Sequence, residues 1–425
     1  MRLVSLSVVA LAAVFLSASA LNAGDWPQWL GATRNGVSPE IVQAWDSAPE
    51  AIWRKPVGNG YSSPIVAKGM AVIHAAVEGK DAEEVTAFDM RSGEVRWTDS
   101  YDRAPYRSQL GVGPRTTPTI VDDLLYTFGI TGVLSCYELE SGKRLWQTNP
   151  YDTFKVSLPR FGVCSSPLVV EGRVIVMVGG TGSAVVAYAA DTGEVSWKGL
   201  DEPASSASPT TMTVNVGDKP RLDVVVQTTL RTLGLSPVDG SIRWEHPLVF
   251  QPAGVSPTPL VIGRTLVCTT QDTGTLAIEL PEVGGAAKSP WWKEDLTSYF
   301  STGCPGPKDA VLILTNQLVP LPRTDLRCLD IATGNELWKK QGLGYFHLGV
   351  ITTGDGKLLF LDDSGNLTLA EISRAEFKQL SKSPVSRGTL TSPALCDGHV
   401  FVRDDKDIIC LRLAKPADAE SAKAP

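Results

Sequence analysis

Residues 87 to 97 read Ala87-Phe88-Asp89-Met90-Arg91-Ser92-Gly93-Glu94-Val95-Arg96-Trp97, and this pattern returns along the chain. It recurs as Cys136-Tyr137-Glu138-Leu139-Glu140-Ser141-Gly142-Lys143-Arg144-Leu145-Trp146, over 187–197 with Asp191-Thr192-Gly193 at its centre, and over 328–338. A shortened copy is Val238-Asp239-Gly240-Ser241-Ile242-Arg243-Trp244. Each copy is a short strand, an Asp/Ser/Thr-Gly turn and a second strand reaching a tryptophan. Glycine supplies the positive φ that such hairpin turns need.

A second motif precedes each copy. It is a small residue or hydroxyl followed by Ser/Thr and proline, as in Ser62-Ser63-Pro64, Thr116-Thr117-Pro118, Ser165-Ser166-Pro167, Ala207-Ser208-Pro209, Val255-Ser256-Pro257 and Thr391-Ser392-Pro393. An apolar strand pair follows, for example Leu168-Val169-Val170-Glu171-Gly172-Arg173-Val174-Ile175-Val176. Two hairpins in succession make a four-stranded antiparallel unit. Counting tryptophans 97, 146, 197, 244, 292 and 338 gives spacings of 49, 51, 47, 48 and 46 residues, the length of a propeller blade. The fold expected is all-β, an eight-bladed β-propeller spanning 51–413.

Three units depart from the pattern. The fifth carries an insertion over 281–289 before Trp291-Trp292, and the seventh, 358–377, has neither the tryptophan nor the turn. The eighth, 390–413, supplies three strands, so residues 51–55, with Trp53, are expected to complete it. Pairing the two terminal segments closes the ring and removes exposed sheet edges. Residues 21–50, with the aromatic start Asp25-Trp26-Pro27-Gln28-Trp29, form an arm expected to fold over one face, and the polar tail 414–425 is expected to be disordered.

Arg2, the apolar run 3–16 and Ala18-Ser19-Ala20 read as a signal peptide over 1–20, which places the mature protein in the periplasm or outside the cell. The mature chain has no further apolar run of membrane-spanning length. The first cysteine is Cys136, far from the cleavage site, which argues against a lipid anchor. A net charge of −7 provides no general basic face for nucleic acid. The seven cysteines contain no C-x-x-C, and the four histidines, 74, 246, 347 and 399, have no metal-ligand spacing. Acidic pairs such as Asp362-Asp363 and Asp404-Asp405 fall at turns, where Asp accepts local backbone hydrogen bonds.

The A-x-D-x-x-[ST]-G-x-x-x-W repeat resembles the tryptophan-docking repeat of the quinoprotein dehydrogenases and their non-enzymatic relatives, the PQQ-like group that includes the outer-membrane assembly factor BamB. The resemblance covers essentially the whole mature chain. It implies that Trp53, Trp97, Trp146, Trp197, Trp244 and Trp338 are docking residues stacked on the neighbouring blade, each indole N–H finding a backbone acceptor. The dehydrogenases of the group use pyrroloquinoline quinone, calcium and a catalytic carboxylate, and commonly an adjacent cysteine pair. Here no adjacent cysteines occur and no Glu/Asn/Asp set maps onto calcium ligands.

The expectation is therefore a non-enzymatic, monomeric scaffold that binds protein partners, with no cofactor, metal or catalytic residue, and with envelope or outer-membrane protein assembly as its setting. A pyrroloquinoline-quinone dehydrogenase with calcium is the alternative. A polysaccharide-binding propeller using Trp26 and Trp29 is another. The segments entering the inner strands contain Arg115, Arg160, Tyr299, His347 and Arg387. In a propeller those segments surround the channel mouth on one face. The four basic residues would form an electropositive ring for an anionic ligand or acidic segment, or else inter-blade ion pairs.

Overall fold

The computed structural model describes residues 24–413, apart from 204, 218, 249–253, 281–285 and 318–319. The segment 1–20 expected to be a signal peptide, the tail 414–425 and much of the 281–289 insertion lie outside the described residues. The described strands form eight four-stranded antiparallel sheets, and the described helix, Pro150–Phe154, is one short turn between blades two and three. Strands are lettered a to d from the axis outward. Blade one spans 65–102, two 119–148, three 168–199, four 210–247, five 260–293, six 304–344 and seven 348–384.

Blade eight is composite. Its strands a to c are Ala394–Cys396, His399–Arg403 and Asp407–Arg412, and Glu50–Pro56 is strand d. Trp53 stands opposite Cys410 and Lys55 opposite Ile408. The ring closes as the repeat count required, because three strands leave an unpaired edge that only the early segment can cover.

Six docking tryptophans share one geometry. The indole N–H of Trp53 donates to Met90 O (3.0 Å), Trp97 to Leu139 O (2.8 Å), Trp146 to Ala190 O (3.0 Å), Trp197 to Pro237 O (2.9 Å), Trp291 to Ile331 O (2.8 Å) and Trp338 to Ser373 O (2.8 Å). Each acceptor lies in the next blade's turn. The turn glycine faces the ring: a Cβ on Gly93, at φ +69°, would come within 2.5 Å of the Trp53 ring. The glycine therefore serves both the left-handed turn and the stacking. Opposite each tryptophan on strand c stands a small residue, such as Ala87, Cys136, Ala187, Cys328 or Cys410. All seven thiols are unpaired, and burial pushes Cys136 and Cys410 up to about 12, so these are inert packing groups.

One docking residue, Trp244, departs from the sequence reading, and the irregular blades five and seven are completed in their own ways. In blade five Trp291, not Trp292, is the docking residue, because the Ala277 N–H bonds Trp291 O and sets the register. Trp244 turns over its own blade, and its N–H reaches Asp223 Oδ2 at 3.0 Å instead of a neighbour's carbonyl. The cause is Gly234 on strand c, where any Cβ would lie 2.0 Å from the indole nitrogen. Blade seven carries Gln379 opposite Ala370, and the arm supplies the missing indole. Trp45 lies at the joint with blade eight, its N–H on Ser383 Oγ (3.0 Å) and its backbone bonded to Ser381.

The core is a series of apolar clusters between adjacent blades. The largest joins blades seven, eight and one with Trp26 and Val42 of the arm. The Ser/Thr-Pro motif has its own function near the axis. Each hydroxyl accepts the backbone N–H of the equivalent residue one blade back: Ser392 to Ser63 (3.0 Å), Ser63 to Thr117 (3.3 Å), Thr117 to Ser166 (2.9 Å) and Ser166 to Ser208 (2.9 Å).

The turns contain the most depressed carboxylates. The Ser92 amide, followed by Arg96, holds Asp89 down to about 2, and the Ser241 hydroxyl does the same for Asp239. A carboxyl whose folded pKa lies below its unfolded value, about 3.9, adds stability above that value and loses it as pH falls toward 2. Unfolding midpoints are therefore expected to fall between about pH 4 and pH 2. Asp89→Asn should flatten that slope in denaturant titrations run across this range.

Candidate functional site

Antiparallel alternation puts the a–b and c–d turns on one face and the b–c loops and d–a connections on the other. The arm occupies the channel from the turn face. Trp26 bridges Val66 through both backbone bonds, Pro27 O accepts from Ile120, and Gly36 and Ser38 pair with Thr352. These contacts cover the inner strand edges of blades one, two and seven. Trp26 is buried, and the Trp29 indole donates to Thr258 Oγ1 at 3.0 Å in blade five. Neither is the exposed sugar platform that the polysaccharide reading required. A cleft of about 870 Å³ opens on this face between the arm and blades one and eight, and none of the sequence candidates borders it.

The loop face is different. Large apolar side chains stand exposed on its connections, including Leu110, Phe161, Phe300, Leu321, Tyr345 and Leu390. Leu321 is the extreme at 74% exposure. Leu321 and Tyr345 border a cleft of about 490 Å³ with Arg323 and Lys382. On the turn face the exposed aliphatics Val95, Leu145, Val195 and Ile242 sit on successive outer strands, one to a blade. Scattered single apolar residues are ordinary on protein surfaces, whereas several large ones on the loops of one face make that face a candidate for interaction.

All five mouth candidates lie on d–a connections of this loop face, but they do not form one electropositive ring. His347 is buried, bonds Ser301 Oγ through Nδ1 (3.1 Å), and is pushed down to about 4 by burial, so it is neutral at physiological pH. Arg387 is neutralised by Asp404 (3.7 Å) and Asp407 (3.3 Å). The Tyr299 backbone is fixed by Asn316 Oδ1 (2.8 Å), with its ring against Phe300. Arg115 and Arg160 remain, and neither has a carboxylate partner among the described residues. Arg115 donates to Leu110 O (3.2 Å) and Gly111 O (3.3 Å) and lies over Tyr61, while Arg160 is exposed over Phe161.

A third such guanidinium was not foreseen. Arg34, from the arm, is 2% exposed and bonds only neutral acceptors: Gln28 Oε1 (3.0 Å), Pro167 O (3.0 Å) and Ser166 O (3.4 Å). Desolvation brings it down to about 9. The one signal in the sequence was an arginine between Gly31 and Gly36 in an otherwise uncharged stretch, 26–39, which does not reveal its place in the channel.

A buried polar network also escaped the sequence reading. Glu83 accepts from Tyr101 OH (2.6 Å) and from the Ile130 N–H of blade two (3.0 Å), with His74 Nε2 at 3.3 Å and Arg103 Nε at 3.4 Å. Arg403 of blade eight donates to Ser62 O (3.1 Å), His74 O (2.9 Å) and Gly58 O (2.6 Å). The two together tie blades eight, one and two.

No group of three or more His, Cys, Asp or Glu converges as a metal site among the described residues. No helix among them is long and apolar enough to cross a membrane.

Tryptophan-docked blades, a composite closing blade and a channel filled from one side define a PQQ-like eight-bladed β-propeller. The chain belongs to the family described as outer membrane protein assembly factor BamB, whose model matches residues 38–157 and 81–340. Two curated BamB proteins are similar to it. That of Xanthomonas campestris is 24% identical over 360 residues, covering 72% of this chain and 83% of that protein. That of Burkholderia pseudomallei is 25% identical over 372 residues, covering 83% and 87%. Among solved structures, BamB from Moraxella catarrhalis superposes with TM-score 0.60 at 14% identity, covering 86% of this chain and all of that one. A europium-containing methanol dehydrogenase superposes with TM-score 0.65 at 12% identity, covering 92% and 90%. These structural likenesses establish the fold alone.

Proposed function

We propose that this protein is an exported, monomeric scaffold of the bacterial envelope that serves outer-membrane protein assembly and works without a bound cofactor. The observation that carries the reading is the gathering of exposed apolar side chains on the loop face, while the arm covers the turn-face end of the channel. Family membership supplies the setting, since the two curated relatives carry the name of an outer-membrane assembly factor.

Deleting the gene is expected to lower the levels of β-barrel proteins in the outer membrane of the host. Wild-type protein should restore them. A Phe300→Ser/Leu321→Ser/Tyr345→Ser variant, folded by circular dichroism, should not. Unchanged barrel levels after deletion would overturn the reading, as would dye-linked alcohol or sugar oxidation by the protein after addition of pyrroloquinoline quinone and calcium.

A further inference from the structure

One segment, 160–167, lies beside three guanidiniums that lack a carboxylate partner, Arg34, Arg115 and Arg160. Arg160 belongs to it, the positive charge of Arg115 acts on the Cys164 thiol, and Ser166 O and Pro167 O receive Arg34. Most other arginines of the described chain are ion-paired, among them Arg54, Arg96, Arg144, Arg231, Arg243 and Arg327. Three unpaired guanidiniums gathered beside one sector, on a chain of net charge −7, are a local reversal of sign. Arg34 also keeps a buried Nε–H with no acceptor. A guanidinium whose donors reach only carbonyls and a hydroxyl retains its full charge for an incoming anion.

Exposed apolar groups flank the same sector. Leu110 stands beside Arg115, whose guanidinium bonds its carbonyl, and Phe161 lies under Arg160.

We propose that this sector, formed by the connections from blade one to blade three, binds an acidic peptide segment of a protein partner. Arg115 and Arg160 take its carboxylates, Leu110 and Phe161 take an adjoining apolar side chain, and Arg34 supplies positive potential from the channel floor. The proposal rests on the scaffold reading and names the chemistry of its partner.

The test uses the full chain and a fluorescent synthetic peptide in which glutamates flank a phenylalanine, followed by anisotropy. Saturable binding is expected, weakening with salt. It should fall about tenfold or more in Arg115→Gln/Arg160→Gln, and about tenfold when glutamine replaces glutamate in the peptide. Both arginines lie outside the blades, so the variant should keep its melting temperature; Leu110→Ser, which leaves the charges intact, gives an independent loss of affinity if it does not. Equal affinity for the two peptides, or unchanged affinity in the double variant, overturns the proposal. Full displacement by inorganic phosphate at matched ionic strength also overturns it, because the site would then be a simple anion site. The barrel-protein experiment fails independently: peptide binding with unchanged barrel levels sinks the assembly role and leaves the acidic-peptide site standing.

Discussion

Replacing Arg403 with methionine is expected to lower the stability of the ring by about 3–5 kcal/mol. The side chain is fully buried, and its guanidinium serves three carbonyls across the joint between blades eight and one. Methionine fills much of the volume but leaves Ser62 O, His74 O and Gly58 O without that donor. A buried acceptor stripped of its partner costs about 1–3 kcal/mol. Lysine recovers only part of the loss, because one ammonium cannot span acceptors that a planar fork reaches. Denaturant midpoints of the three proteins give the comparison. A methionine variant within about 1 kcal/mol of wild type would show that the carbonyls find other donors.

Trp53→Ala is the second large effect, expected to cost about 3–5 kcal/mol. Trp53 is buried, lies 5.9 Å from both the Phe88 and Phe401 ring centres, and donates to Met90 O across the closure. Its loss opens a cavity at the one blade whose strands come from distant parts of the chain. Trp53→Phe keeps most of the packing and loses only the hydrogen bond, so it should cost about 1 kcal/mol more than the packing change alone. The same truncation at half-buried Trp338 should cost roughly half as much as at Trp53. Equal costs at the two sites would mean that closure adds nothing to docking.

The blades were legible because their determinants are local and repeated. The Asp-x-x-Ser/Thr-Gly turn, the tryptophan and the small residue opposite it lie within about ten residues and answer to hairpin geometry. The departures have other causes. Trp244 turns inward because Gly234, on the adjacent strand, lacks a Cβ. Trp45 fills the place of a residue that blade seven has lost, from more than 330 positions away. The site was only partly legible for the same reason. Topology placed Arg115, Arg160, Tyr299, His347 and Arg387 on one face, but charge depends on partners that no spacing reveals. Asp404 and Asp407 cancel Arg387, desolvation neutralises His347, and Arg34 arrives through the arm.

The composite blade also bears on how the molecule comes to exist. The outer strand of blade eight is made early, yet its partner is the last described strand, and the Arg54–Asp407 bond spans 353 residues. During synthesis this strand carries a bare edge with nothing to pair it. Closing so long a loop has an entropy cost that grows only slowly with length, but the contact cannot form before the rest of the chain is present. Blades one to seven can therefore stack in sequence, while the ring must wait for its final residues. An interrupted chain would present an open arc with an exposed edge at either end, the form most prone to pair with another copy.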